Sequence, residues 1–489
     1  MVDREAAEQL LGYISSARWF AGKGRLAELA GVTPLPWLTE IDQWPAVRSE
    51  VAEIRYLADQ DPDDPDAERT VSATELYQLA VSYRSAPQPG LQHAEIGRFT
   101  DPELGPVVAY DAMQDPDACR LFLERLLEPR RHASDEARVS FHLVSGDALS
   151  PEKNNNDLEP RIFTGQQSNT SVMFGDTAML KLFRRLEIGH NLDIEVHESL
   201  SRSGVADVAQ LYGWVEASWP GSDPEGPQSL NADLAMMVEK LAQAEDGWGL
   251  ALDSLRADQD FSGRARALGQ ALAEIHHALR DAFPTAQADG AQTAQIMKDR
   301  LAVAVAIAPA LEPHLAGLTA CFDALAGVQL ATQRVHGDFH LGQTLYTPDG
   351  WKIIDFEGEP VKTLAERAAP DSVWRDIAGM LRSFDYGAAS VPGPDSQAWA
   401  DACRTAFLEG YAGGPLAPGD AAVLDAYVAD KAVYEVVYEV RNRPDWVNIP
   451  LAAVAAIAAA STSAPAAAST AAAPAAASTA SATADQVKE

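Results

Sequence analysis

Cysteine is scarce in this chain. The three present, Cys119, Cys321 and Cys403, lie far apart and share neither a CxxC nor a metal-ligand spacing. That excludes a disulfide framework and a thiolate metal site, and it fits a reduced intracellular setting in which the three act as small buried hydrophobes. Positive charge is also short: 38 Lys and Arg stand against 71 Asp and Glu, giving a net charge of −33. Such a surface repels phosphate backbones and anionic lipid, so nucleic acid and membrane partners are excluded. No charged n-region with an apolar stretch follows Met1, and no uninterrupted apolar run of about 20 residues is long enough for a bilayer. A cytoplasmic location is expected. Glycine-rich phosphate loops are lacking as well. Gly22-Lys23-Gly24 has no upstream glycine at the needed spacing and no Ser or Thr after the lysine, so it reads as a basic turn that packs a small domain.

What is present exceeds one compact core. With 489 residues, 47% of them hydrophobic, two or three lobes are expected. Residues 4–16 read as a short helix. From about 29 to 110, β-prone runs such as Val51 to Tyr56 and Leu79 to Tyr83 alternate with Pro, Asp and Gly, predicting a small, mostly β domain with Asp59 to Asp66 as a solvated loop. Helical periodicity follows from Asp115 to Glu128, strands resume at Phe141, and Lys153 to Asp157 is a polar loop. Two β runs then flank Gln167-Ser168-Asn169-Thr170, and a third carries Lys181. Strand, polar loop, strand, turn and a strand with an inward lysine is the layout of a kinase nucleotide lobe, although the loop has no GxGxxG. A helix starts after Asn191, and Glu195 on it is the expected partner of Lys181, with Asp193 and Glu198 left open. The apolar run ending at Glu239 to Leu241 is the expected hinge, whose backbone would meet the adenine edge. From Gly263 to about Ala326 the pattern is helical, with Leu268, Leu272, Ile275 and Leu279 on one face and His276 and His277 read as helix surface or interhelix contacts rather than ligands.

The chemistry concentrates in Val335-His336-Gly337-Asp338-Phe339-His340-Leu341-Gly342-Gln343, followed by Ile353-Ile354-Asp355. One carboxylate for an acceptor hydroxyl, then an amide and a second carboxylate for a cation, are the parts of a phosphoryl-transfer site. Thr347-Pro348-Asp349-Gly350 favours a reverse turn, so Gln343 to Ile354 is a predicted hairpin. Pairing Tyr346 with Trp351 sets Gln343 opposite Ile354 and puts Gln343 and Asp355 side by side at its open end, an oxygen site suited to Mg²⁺. Asp338, in the loop before it, is left to face the acceptor.

These residues resemble the aminoglycoside-phosphotransferase-like kinases, and among them the actinobacterial maltokinases. Further blocks carry the likeness: Arg18-Trp19-Phe20-Ala21-Gly22-Lys23-Gly24-Arg25, Gln167 to Ser171, Arg375 to Phe384, and Asp430 to Glu439 ahead of Arg441-Asn442-Arg443-Pro444-Asp445-Trp446. The resemblance implies an α+β, bilobal protein-kinase-like fold with an extra, mostly β N-terminal cap at 1–110. A nucleotide lobe at 111–241 and a helical catalytic and sugar-binding lobe at 242–457 would follow. It implies ATP and Mg²⁺ as cofactors and phosphorylation of maltose at its anomeric hydroxyl for α-glucan synthesis from trehalose, with trehalose synthase as a partner. Asp338 would be the base, Gln343 and Asp355 the metal ligands, and Lys181 with Ser168, Asn169, Thr170, Glu195, Glu239 and Leu241 the nucleotide side.

The sugar side is expected from His336, Asp371, Arg375, Lys431, Tyr434, Glu435, Tyr438 and Glu439. Asp371 can cap a helix running to about Tyr386, with Arg375-Asp376 one turn in, either supporting the catalytic loop or decorating the helix. On the later helix Asp430, Tyr434 and Tyr438 form one stripe and Lys431, Glu435 and Glu439 its neighbour, and the sequence does not choose which faces a sugar. Residues 458–489, almost wholly Ala, Ser, Thr and Pro, cannot bury a core and read as a disordered tail beyond a last helical turn or two. Two other activities compete: a glucosamine kinase, whose cationic substrate would suit Glu435, Glu439 and Asp371, and a non-catalytic pseudokinase. An aminoglycoside kinase finds no support in the N-terminal region.

Overall fold

The computed structural model describes residues 4–58, 70–129, 131–134, 136–149, 158–163, 169–221, 229–359 and 362–463. The acidic run from Asp59, the Lys153 to Asp157 loop, Ser168 and the tail from residue 464 lie outside them. The chain forms two compact units, Met1–Glu198 with Ala209–Ala242, and Ser199–Val208 with Gln243–Glu489.

The first unit begins with α1 (Arg4–Ser16) and a six-stranded sheet of β1 (Ala27–Pro34), β2 (Ala46–Leu57), β3 (Val71–Arg84), β4 (Glu95–Asp101) and β5 (Gly105–Asp111), joined by β11 (Arg185–Leu186) on β3. Long β2 and β3 pair antiparallel from Ala46↔Tyr83 to Leu57↔Val71, and their inward Tyr56 and Tyr77 close a core with Ile14 and Phe20. The Gly22-Lys23-Gly24 turn is packing, as expected. A Cβ on Gly22 would come within 2.3 Å of the Tyr56 ring, and the Arg25 guanidinium lies 3.6 Å from that ring's centroid.

Next, α2 (Pro116–Leu127) starts where Asp115 accepts from Asp117 N–H, with proline at its first position. A seven-stranded antiparallel sheet runs in the order β6 (Arg131–Ala133), β7 (Arg138–Leu143), β12 (Leu211–Pro220), β13 (Ser229–Glu239), β10 (Ala178–Leu182), β9 (Thr170–Phe174), β8 (Pro160–Ile162). The expected strand–loop–strand–turn–strand is β8 to β10, with Lys181 opposite Met236 of β13. The helix after Asn191 is α3 (Leu192–Arg202).

The second unit is mainly helical: α4 (Gly247–Arg256), α5 (Ser262–Ala282), α6 (Gly290–Ile307), α7 (Leu315–Asp323), α8 (Leu364–Ala368), α9 (Trp374–Ser390), α10 (Ser396–Ala412), α11 (Pro418–Asn442) and α12 (Asn448–Ser463). Two small sheets interrupt it, β14 (Glu245–Asp246) with β17 (Thr344–Thr347) and β18 (Gly350–Ile353), and β15 (Ala286–Asp289) with β16 (Gln329–Thr332), the latter breaking the stretch read as continuously helical. The helix α12 continues past 457, and the segment Pro444–Thr462, which starts just before it, is long and apolar enough to cross a membrane. It packs on the protein: Val454 and Ala458 are buried, and a Cβ on Gly317 of α7 would meet the Ala458 carbonyl at 2.3 Å.

Candidate active site

The hairpin has the register that its turn requires. Tyr346 pairs with Trp351 and Thr344 with Ile353, and Ile354 N–H donates to the Gln343 carbonyl at 3.1 Å. Gln343 Nε2 therefore lies 3.2 Å from Asp355 Oδ2. Asp355 is held at φ 68°, in the left-handed region that a non-glycine residue adopts only where its surroundings dictate it. An amide and a carboxylate side by side form an oxygen-donor pair that suits Mg²⁺, since a half turn of the amide offers Oε1 in place of Nε2.

The loop carrying Asp338 is fixed from α9. Asp376, fully buried, accepts from His336 N–H and Gly337 N–H at 2.8 Å each, and from His276 Nε2 at 2.8 Å; His276 Nδ1 lies 2.9 Å from the Tyr411 hydroxyl. Burial alone would push the Asp376 carboxyl up, but the hydrogen bond from His276, the two histidines' charge and the Gly337 N–H outweigh it and hold it below the usual carboxylate range. One turn on, Gly379 lets the backbones meet, as a Cβ there would stand 2.5 Å from the Phe339 carbonyl. Ser383 Oγ then accepts from Leu341 N–H at 3.1 Å. Residues 376, 379 and 383 share one helix face, so one stripe of α9 docks the whole loop. Gly337, at φ 87°, makes the bend that turns Asp338 outward from it.

On α11 the Lys431, Glu435 and Glu439 stripe is turned into the protein. Lys431 Nζ stands 3.4 Å from Asp338 Oδ1 and 3.6 Å from Glu359 Oε1. Burial pulls its ammonium down, yet Asp338, Glu359 and Glu435 together raise it above the ordinary lysine value. Glu435 accepts from Arg382 Nε at 2.8 Å, and burial lifts its carboxyl above the ordinary range. Glu439, 1% exposed, accepts from the Tyr386 hydroxyl at 3.0 Å and from Arg443 at 2.7 and 2.9 Å. Of the neighbouring stripe, Asp430 is buried against Arg300 at 2.7 Å, while Tyr434 and Tyr438 are 37% and 43% exposed and stack with centroids 6.4 Å apart.

In the first unit, Lys181 Nζ donates to Asp193 Oδ2 at 3.0 Å, Asp193 being one of the two alternatives beside the expected Glu195. Burial would raise the Asp193 carboxyl, but Lys181 and His197 overcome that and hold it far below the carboxylate range. Asn169 and Thr170 sit together: Arg184 donates its N–H to Asn169 Oδ1 at 3.4 Å and its Nε to Thr170 Oγ1 at 2.7 Å. At the expected hinge, Glu239 N–H is taken by the Gln210 carbonyl and Lys240 N–H by Thr177, at 2.8 and 2.9 Å, and Leu241 N–H has no acceptor among the described residues.

Residues 13–115 match the family described as maltokinase N-terminal cap domain, and residues 236–417 the phosphotransferase enzyme family. A glucosamine kinase of Streptacidiphilus jiangxiensis is 32% identical over 320 residues, 58% of this chain and 70% of that protein. A glucosamine kinase of Mycolicibacterium smegmatis is 27% identical over 330 residues, 62% of this chain and 80% of its own length. The chain belongs to the phosphotransferase enzyme family. A solved glucosamine kinase in complex with glucosamine, ADP and inorganic phosphate shares its kinase-like fold, at a TM-score of 0.60, 22% identity, and coverage of 91% of this chain and 98% of that one.

Within this phosphotransferase, two expectations about individual residues are corrected. His336, expected toward the sugar, is 1% exposed, and both ring nitrogens are used inside: Nε2 on the Ile354 carbonyl at 2.9 Å, Nδ1 against Asp338 N–H at 3.4 Å. It ties the loop to the hairpin. Asp371 does not cap α9, which starts three residues later at Trp374 and ends at Ser390. Its carboxylate is taken by Ser372 N–H and by Arg375 Nε, and its backbone pairs with Gln333. Arg375 is thereby turned to Asp371 and held well above the ordinary arginine value by Asp371, Asp430 and Glu359, despite burial. Of the Arg375-Asp376 pair, Asp376 is the member that supports the Asp338 loop, with His276 as its partner. The seven-residue spacing from Asp376 to Ser383 was the signal available in the sequence.

Proposed function

We propose that the protein is an ATP-dependent sugar kinase that phosphorylates maltose at its anomeric hydroxyl, with Mg²⁺ held by Gln343 and Asp355. The bound cation would neutralise phosphate charge. Asp338 accepts the acceptor hydroxyl's proton late in a loose transition state, and Lys431 keeps a cation beside it. Lys181, with Ser168, Asn169, Thr170 and Glu195, serves the nucleotide phosphates, and the backbone from Glu239 to Leu241 serves the adenine.

The observation that carries the acceptor is the exposed, stacked Tyr434–Tyr438 pair on the helix whose Lys431 touches Asp338. Pyranose rings lay apolar faces on planar aromatics, and four helical residues rise about 6 Å, so the platform suits two linked rings in a row. Asp371 and Arg375 serve as its polar surround, whereas Glu435 and Glu439, expected there, are buried on the inward stripe against Arg382 and Arg443. Trehalose synthase as a partner belongs to the same proposal.

A second reading, glucosamine as acceptor, is favoured by the names of the relatives. It needs a carboxylate free for an amine. Glu359 faces Lys431 and Lys362, Glu435 faces Arg382 and Glu439 faces Arg443, and these existing cations favour the neutral disaccharide. The test is kcat/KM for maltose, glucose and glucosamine with ATP and Mg²⁺ under identical conditions. Preference for maltose by about a hundredfold, nearly 3 kcal/mol of discrimination, is expected; preference for glucosamine overturns the acceptor assignment.

A further inference from the structure

Asp233 takes no part in the chemistry above. It lies on β13, the central strand of its sheet, and is 4% exposed. A bulge sets its direction: Glu216 pairs with Asp233 but Val215 with Ala235, leaving Leu234 as the extra residue. Its Oδ2 accepts from Asn191 N–H and faces His190 Nδ1, both at 2.7 Å, while Oδ1 has no partner among the described residues. Just before, Gly189 N–H donates to the Asn231 carbonyl at 2.8 Å. The three residues that lead into α3 are thus stitched to β13.

Asn191 passes the constraint on. Its Oδ1 accepts from Asp193 N–H at 2.8 Å and from Ile194 N–H at 3.3 Å, capping α3. Asp193 in turn accepts from Lys181 at 3.0 Å, and Lys181 stands on β10, which is paired with β13 through Met236. Asp233, Asn191, Asp193 and Lys181 therefore close a ring through β13, α3 and β10. A buried carboxylate with one oxygen unpaired is a poor choice for folding alone. It is a good choice for holding one backbone N–H in one place.

We propose that Asp233 is a positioning residue for phosphoryl transfer, fixing the start of α3 so that Asp193 keeps Lys181 extended for the nucleotide. This rests on the reading of Lys181 as the nucleotide lysine. His190 makes the latch pH-dependent. Its ring faces Asp233 on β13, Trp214 on β12 at 5.9 Å, and Glu195 and Glu198 on α3; Trp214 in turn stacks on His142 of β7, which stands 3.2 Å from Glu216. The hydrogen bond to Asp233 lifts His190 above its ordinary pKa against the effect of burial. The imidazolium is therefore present below that raised value, and the charged pair is lost as pH rises through it.

The experiment is steady-state kinetics on the full chain from pH 6 to pH 9, with ATP and the acceptor each varied. Asp233→Asn is expected to raise KM for ATP about tenfold and leave KM for the sugar unchanged. The unaltered enzyme should show KM for ATP rising about threefold between the two ends of the range, and His190→Gln should sit at the high-pH value throughout. A change below about twofold in Asp233→Asn, or an equal change in both KM values, overturns the proposal. Should Asp233→Asn fail to fold, a His190→Gln enzyme that keeps the original pH profile overturns it equally. Lys181→Met separates the two possible failures. Loss of nucleotide binding there beside an unaffected Asp233→Asn enzyme sinks the positioning role alone, whereas an unaffected Lys181→Met enzyme sinks both.

Discussion

Lys431 sets one ammonium against Asp338 and Glu359, and every neighbouring carboxylate favours its charge. Because its pKa is raised, that cation is fully present at neutral pH and is lost only in strong alkali. A pH–rate profile between pH 6 and 9 should therefore carry no break from it. Lys431→Met should lower kcat by about two orders of magnitude, as expected for removing a charge aimed at the reacting group. Asp338→Asn should cost about 10² to 10⁴ in kcat with KM for ATP kept, measured by the same assay. At the far end of the platform, Tyr438→Ala should raise KM for maltose about tenfold and leave KM for glucose unchanged, because only the second ring reaches that far. Residue types were legible in the sequence; their partners were not. Nothing in Lys431, Glu435 and Glu439 says that they turn inward, since both stripes of α11 carry ionisable groups and the burial of one is decided by Asp338, Arg382 and Tyr386, distant in the chain.

Among elements, the hairpin and α9 behave differently as objects of prediction. The β17–β18 register follows from Thr347-Pro348-Asp349-Gly350 and the alternation on either side, all within a dozen residues, and so it could be read directly. The docking of α9 is tertiary. Its face at 376, 379 and 383 matches the loop only after the chain has folded, and for the same reason Asp371 looked like a cap although its carboxylate is occupied by Arg375 and Ser372. Asp376→Ala would leave His276 and two backbone N–H groups buried without an acceptor, at a cost of about 3–5 kcal/mol, seen as an earlier midpoint in urea unfolding. Gly379→Ala should cost about 1–3 kcal/mol through its contact with the Phe339 carbonyl, and it should lower kcat by displacing the loop that carries Asp338.

For the whole molecule, the excess of acidic residues governs solution behaviour. A net charge of −33 repels itself, so added salt should raise the unfolding temperature between about 10 mM and 500 mM NaCl, a shift that differential scanning calorimetry reads directly. The mostly β cap, the seven-stranded sheet and the helical C-terminal region were legible because each is built from long periodic segments. The acceptor was not, since it depends on which side chains of one helix remain exposed. The most direct measurement is therefore ³¹P and ¹³C NMR of the product formed from ATP, Mg²⁺ and maltose. Phosphate on the anomeric carbon of the reducing ring is the predicted result. No phosphorylated maltose, beside ready turnover of glucosamine, would contradict it.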